Sequence, residues 1–237
     1  MKYVLDVHTH TIASGHAYNT IKEMAQSASE KGLELLGITE HAMKMPGTCH
    51  SFYFANLKML ERKMFGVEML FGVELNILNQ DGEVDMEENL LKKMDIVIAS
   101  MHIPCFKSGT KEENTQTYLK VMENPYVNII GHPDDGRFPV DYEQLVLGAK
   151  KHHVLLEVNN NSLDPRCTRE NGEENVKDML CYCKKYEVPV ILGSDAHISF
   201  DIATYDYVWQ LVDETGFPEE LIMNLSVEKF EDYLNIK

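Results

Sequence analysis

Cysteine is scarce in this 237-residue chain, and its count is odd. Cys49, Cys105, Cys167, Cys181 and Cys183 make no paired framework. That excludes a small disulfide-stapled fold and fits reduced thiols in a cytoplasmic protein. Cys181 and Cys183 stand at i, i+2 in a helix-like stretch, where side chains diverge, so they form a poor metal pair. Basic residues are also few, 22 against 38 acidic ones, for a formal charge of −16. Such a surface argues against a nucleic-acid partner held by phosphate neutralisation. Divalent ions bound in a cleft would nonetheless make it far less negative than the whole chain. No apolar run has the length of a membrane span, and no signal-peptide pattern precedes the first strand-like run. Neither Gly-x-Gly-x-x-Gly after that run nor Gly-x-x-x-x-Gly-Lys-Ser/Thr occurs, so the phosphate-cradling loops of dinucleotide and P-loop proteins are missing. Internal repeats and low-complexity tracts are absent as well.

What is present is an ordinary globular composition, 44% hydrophobic and 25% charged, with no obvious linker. A single domain over residues 1–237 is the expectation. Short apolar runs rich in β-formers fall at 3–7, 35–39, 69–73, 96–100, 127–131, 154–158 and 190–194. Amphipathic stretches at 20–31, 51–65, 114–123, 141–151 and 173–185 separate them, and shorter helix-like pieces follow at 202–215, 218–223 and 226–234. Near-continuous apolar strands alternating with helices predict an α/β architecture with a parallel sheet buried on both faces. Seven such units can close into a barrel or form an open doubly wound sheet.

The residues that end the strands carry the chemistry. His8-Thr9-His10 follows the first run, and two imidazoles at i, i+2 of a strand share one side. Later runs end in Glu40-His41, Glu74, His102, His132, Glu157-Val158-Asn159, and Asp195-Ala196-His197. In a parallel α/β barrel all these ends open onto the C-terminal rim, where active sites lie. A lone His or Asp at a strand end is usually a cap or a solvated charge; the joint pattern is what predicts a metal site. His16 lies in a loop over the same rim, whereas His50, His152 and His153 read as surface or packing residues. Histidines with carboxylates and no ligating cysteine suit zinc first, with iron or manganese next, rather than magnesium or calcium. The candidates are too many for one ion.

On these residues the chain resembles the PHP (polymerase and histidinol phosphatase) superfamily, in particular its small stand-alone YcdX-type phosphatases. The matching motifs are Asp6-Val7-His8-Thr9-His10, His16, Ile38-Thr39-Glu40-His41, Gly72-Val73-Glu74, His102, Gly131-His132-Pro133, Leu156-Glu157-Val158-Asn159-Asn160 and Gly193-Ser194-Asp195-Ala196-His197. The resemblance implies a distorted (β/α)7 TIM-like barrel with a trinuclear, usually zinc, centre. One ion would be held by His8, His10, Glu74 and Asp195. A second would be held by Glu74, His102 and His132, with Glu74 as the bridge, and a third by His16, His41 and His197.

The expected activity is hydrolysis of a small phosphomonoester by a metal-activated hydroxide, with Glu74, Asp195, His102 and His132 at its centre. No nucleophilic side chain is needed; Ser14 and Cys105 have no base paired with them. Glu40 and Asp134, each beside a ligand, are placed to orient ligands or move a proton. Lys107, Arg137 and Arg166 are the candidate phosphate contacts. Met43-Lys44-Met45-Pro46 and residues 52–54 offer an apolar wall. Alternatives are a histidinol-phosphate phosphatase, a phosphodiesterase of the nuclease kind, and an inactive metal-stabilised module. Oligomeric state is left open.

Overall fold

In the computed structural model, which describes residues 3–234, a parallel sheet coils almost into a closed barrel. Its first half runs β1 (Leu5–Asp6), α1 (Ile21–Glu30), β2 (Leu35–His41), α2 (Ser51–Asn56), β3 (Lys63–Met64), β4 (Val67–Asn76), α3 (Glu88–Leu91) and β5 (Val97–Ser100). The second half runs α4 (Lys111–Met122), β6 (Ile129–Ile130), α5 (Tyr142–His152), β7 (Leu155–Asn159), α6 (Gly172–Tyr186), β8 (Val190–Gly193), α7 (Asp206–Thr215) and α8 (Val227–Leu234). Seven strands pair in parallel in the order β1-β2-β4-β5-β6-β7-β8, and β3 hangs antiparallel on β4. The α/β, TIM-like reading therefore holds. Among the described residues no helix is long and apolar enough to cross a membrane.

Two apolar layers explain the shape. Leu5, Leu35, Leu70, Ile98, Ile129, Leu155 and Ile191, one from each parallel strand, fill the barrel interior. Phe230 and Leu234 of α8 belong to the same cluster and close its lower end. Residues of opposite parity, such as Ile38, Val73, Ala99 and Leu156, pack outward against Met24, Tyr118, Leu145 and Met179 of the surrounding helices. Strands buried on both sides must be apolar at every position, which is why the runs were continuous. The helices start on clear signals. Thr20 with Glu23, and Thr110 with Glu113, form capping boxes, and Asp141 caps α5.

The seam between β1 and β8 is closed by other means. A parallel bridge joins Thr9 to Ala196, and His10 N donates to Ala196 O at 2.9 Å. Below it, the buried Asn224 side chain substitutes for a strand. Its Oδ1 accepts from Leu192 N at 2.7 Å, and its Nδ2 donates to Leu192 O at 2.8 Å and Leu5 O at 3.2 Å.

Two local expectations are corrected. The stretch 51–65 is not one helix: α2 ends at Asn56, a 3-10 turn follows at Leu57–Met59, and Lys63–Met64 turn back on β4 through Phe65 and Gly66, both at positive φ. The histidine pair is not on a regular strand either. Leu5 and Val7 face the interior cluster, whereas His8 and His10 face the rim, so the alternation shifts by one residue beyond the short β1.

Candidate metal centre

Each strand delivers its inward residue two positions above the interior apolar layer or just beyond. On β4 the sequence Leu70, Gly72, Glu74, Asn76 climbs from core to rim. Glu74 is fully buried and forms the hub. Its Oε2 lies 2.7 Å from His41 Nδ1, 3.4 Å from His8 Nε2 and 3.5 Å from His10 Nε2. Its Oε1 lies 3.0 Å from His132 Nε2 and 3.1 Å from His102 Nε2. Asp195 Oδ1 faces the same space, 3.4 Å from His10 Nε2, 3.7 Å from His8 Nε2 and 3.5 Å from His197 Nδ1. His16, on the exposed lip, stacks against His41 and His197 with ring centroids 4.9 and 4.8 Å away. All nine predicted ligand positions therefore converge.

Two of them depend on unusual backbone. His132 and Asp195 follow β6 and β8 with φ of 29° and 53°. Non-glycine residues in this region are uncommon, cost about 1–3 kcal/mol each, and gather at functional sites.

The partners of the outer ring nitrogens settle most tautomers. His8 Nδ1 donates to Glu157 Oε1 at 2.6 Å. Ser14 Oγ spends its proton on Glu40 Oε2 at 2.6 Å, so toward His10 Nδ1, 3.1 Å away, it accepts. Asn76 commits its amide hydrogens to Asp85 and Ala42, so its Oδ1 accepts from His102 Nδ1 at 2.8 Å. His197 Nδ1 donates to the Asp195 carbonyl at 2.9 Å. In His8, His10, His102 and His197 the Nε2 thus keeps a free lone pair, as a ligand must. Glu40 acts as expected, orienting His10 through Ser14, and it also accepts from Tyr53 OH at 3.0 Å. Asp134 orients no ligand: both its oxygens are buried without a hydrogen-bond partner, and burial pushes its carboxyl up to about 6.

Electrostatics match this arrangement. Burial would raise the Glu74 carboxyl, but His102, His41 and His8 hold it well below the usual range. Asp195 is depressed too, His8 and Arg169 outweighing burial. Burial lowers His10, reinforced by His41 and His197, and brings His102 down to about 4. His8 goes the other way, Glu157, Glu74 and Asp195 overcoming its burial, so a cation at its Nε2 would have a proton to displace.

The group also passes a chemical test for metal. His8 Nε2, His10 Nε2, His41 Nδ1, His102 Nε2 and Glu74 Oε2 are buried with no hydrogen-bond partner. An unsatisfied buried polar atom costs about 1–3 kcal/mol, and these five face one another. Divalent cations placed among them would satisfy all five. Ligand atoms lie within 4.8 Å of one another in three sets: His10, His41, His197; His8, His10, Glu74; and His41, Glu74, His102.

Above the cluster opens a cleft of about 370 Å3, walled by Met45, Asn161 and Arg169 as well as by the histidines. Arg169 was not among the expected cations, yet it is the one that lines the cleft. Its Nη1 donates to Asn159 Oδ1 and Ser162 Oγ, both at 3.0 Å, and its Nη2 to Asp195 Oδ2 at 3.0 Å. Arg137 forks onto Asp135 and Arg166 onto Asp164, each with Nη2 2.6 Å from a carboxylate oxygen. Lys107 is exposed in the loop after β5. The role of Glu157 was missed as well, although it stands two residues before Asn159 on the inward parity of β7. It holds His8, and it fixes His132 by accepting from that residue's backbone N–H at 2.7 Å.

The PHP domain model matches residues 6–162. The chain belongs to the PHP family. Over its full length it is 48% identical to a probable phosphatase of Clostridium novyi, covering 96% of that protein. It is 45% identical to a probable phosphatase of Acetivibrio thermocellus, covering 97% of it. Among solved structures it resembles the histidinol phosphate phosphatase of Lactococcus lactis, determined with zinc, L-histidinol and phosphate. That likeness has a TM-score of 0.60 at 19% identity and covers 92% of this chain and 95% of the other. A chain in an archaeal ribonuclease P complex with mature tRNA gives a TM-score of 0.57 at 16% identity, over 98% of this chain and 91% of that one. At such identities these two likenesses speak for the fold alone.

Proposed function

We propose that this chain is a metal-dependent phosphatase that hydrolyses a small phosphomonoester at a centre of three divalent ions, zinc in the first instance. The observation that carries the reading is the set of five buried, unpaired ligand atoms around Glu74. His8, His10, Glu74 and Asp195 would hold one ion, Glu74, His102 and His132 a second, and His16, His41 and His197 a third. His41 sits in two of the close-spaced sets, which favours ions that share neighbours over isolated sites. When bound, such ions supply Lewis acidity toward the phosphoryl oxygens and make water a nucleophile near neutral pH.

The chain's own groups do the rest. Glu157, Asn76 and the Ser14–Glu40 pair keep the imidazoles in ligand tautomers. Arg169, braced by Asn159, Ser162 and Asp195, offers a fixed guanidinium to an incoming phosphate. Residues 1–237 act as one unit in this reading, since Asp195 and His197 lie beyond the matched 6–162 segment. The names of the curated relatives support the phosphatase class.

The test is metal analysis of the purified protein together with hydrolysis of a generic aryl phosphate. About three ions per chain are expected, with activity lost on chelation and restored by zinc, manganese or iron. Full activity after verified metal removal would overturn the proposal. Rescue of a histidine auxotroph would move the substrate to histidinol phosphate, and cleavage of single-stranded DNA ends would move the class to phosphodiesters.

A further inference from the structure

A second cleft, of about 610 Å3, lies beside the cluster cleft and has a different character. Lys44, His50, Ser51, Asp85 and Glu87 form its polar lining, and Met43, Val84, Met86 and Leu90 its apolar lining. Met86 is buried and the other three are half-buried, packed below on the outer core yet open above. The two clefts share a wall: Met43 and Lys44 line the larger, and Met45 lines the one over the cluster. Three consecutive residues span at most about 7–8 Å between their outer α-carbons, so one short molecule can lie across the ridge. The ridge is fixed rather than loose. Lys44 N donates to Asp85 Oδ2 at 2.7 Å, and Lys44 O accepts from Cys105 Sγ at 3.3 Å. Asp85 also receives Asn76 N and Nδ2, at 2.8 and 2.7 Å, and Asn76 orients His102. The wall of the second cleft is thus tied through two side chains to an imidazole of the cluster.

We propose that the second cleft receives the leaving-group end of the substrate, so that the enzyme prefers phosphomonoesters with an extended apolar body. The assignment rests on the phosphatase reading above for where the phosphoryl group sits. A cleft of this size is in the range that holds a drug-sized ligand, and a methionine-rich floor adapts to apolar groups of varied shape. Small polar esters would fill the cluster cleft and leave the second one empty.

The experiment uses the metal-loaded full chain and n-alkyl phosphates from ethyl to decyl, with steady-state kinetics for wild type and Leu90→Asp. Calorimetric binding of ethyl and decyl phosphonate, which cannot be hydrolysed, runs in parallel. Each buried methylene is worth up to about a fourfold gain in affinity, so kcat/KM should climb at least tenfold along the series. Leu90→Asp should flatten that climb while leaving ethyl phosphate turnover unchanged. A wild-type kcat/KM that ignores chain length, or a slope that survives in Leu90→Asp, overturns the assignment. Should neither the alkyl series nor the aryl phosphate be hydrolysed, the phosphatase reading falls; should the alkyl series alone fail, that reading stands, and in either case the phosphonates decide the cleft. Tighter binding of the decyl compound that Leu90→Asp abolishes supports the cleft, and equal binding of the two overturns it. The wild-type series needs no variant, so misfolding of Leu90→Asp would not blunt the test.

Discussion

Replacing Glu157 by Gln should cost metal affinity without costing the fold. The Glu157 carboxylate accepts three hydrogen bonds in a buried site. His8 Nδ1 reaches Oε1 at 2.6 Å, while the backbone N–H of His132 and the Asn159 amide reach Oε2 at 2.7 and 3.0 Å. A glutamine has one oxygen, and it belongs where two N–H donors already converge. Its NH2 group then faces His8 Nδ1. Two donors cannot meet, so the imidazole must carry its proton on Nε2, the atom that points at Glu74 and Asp195. The lone pair needed for a cation is lost. Partners of this kind are worth about 10- to 100-fold in metal affinity, or roughly 1.4–2.7 kcal/mol. Shape is preserved, because Gln matches Glu in size and Gly193 leaves the space: a β-carbon there would fall 1.7 Å from Glu157 Oε1. The assay is zinc titration of the stripped protein against a chelating indicator, with circular dichroism as the control. Wild-type affinity and stoichiometry in a folded Glu157→Gln variant would refute both the tautomer argument and the role given to His8.

Two further outcomes follow from hydrogen bonds away from the cluster. Asp141 caps α5 by accepting from Gln144 N at 3.1 Å, and that bond, outweighing a little burial, holds its carboxyl below the usual range. A depressed acid stabilises the fold above its unfolded pKa, about 3.9, and loses that contribution as pH falls through the folded value. Asp141→Ala should therefore cost about 1 kcal/mol at pH 7, with the gap narrowing below about pH 4; urea unfolding at pH 7 and pH 3 reads both, and a gap that widens in acid contradicts the sign. Asn224→Ala removes the side chain that joins β1 to β8 and strands Leu192 N and Leu192 O, while Leu5 O keeps the Tyr205 hydroxyl at 3.2 Å. At about 1–3 kcal/mol for each buried group left unpaired, a loss of roughly 2 kcal/mol or more is expected in the same unfolding assay, and a loss under about 1 kcal/mol would mean that the seam closes without it.

The fold was legible from the sequence because strands covered on both faces must be apolar throughout, and the outer helices show periodic faces with capping residues. The convergence of these histidines and carboxylates was legible for a related reason: a parallel barrel leaves one open rim, so whatever ends its strands is displayed there together. What stayed hidden depends on backbone that deviates from the regular pattern. The positive φ of His132 and Asp195 and the shift between Val7 and His8 each turn a side chain that strict alternation would misplace. The antiparallel β3 had a visible signal in Gly66, just past the stretch 51–65 read as helix-like.

Arg169 shows how a choice among like residues can be made from local chemistry. Arg137 and Arg166 are each preceded, two positions earlier, by an aspartate, Asp135 and Asp164. In both pairs the arginine backbone N–H donates to Asp Oδ1, at 3.1 and 2.7 Å, and the guanidinium forks onto the same carboxylate, with Nε to Oδ1 at 2.9 Å in each. An Asp-x-Arg turn of this form commits the Nε–Nη2 edge to its own carboxylate and holds the guanidinium at the turn rather than in the cleft. Arg169 has Cys167 at the corresponding position and no local carboxylate to hold it. It instead reaches Asp195 across the loop and enters the cleft. Among rim arginines, the one without an acid two residues upstream is the better candidate for an anion, and here that rule selects the residue lining the cleft.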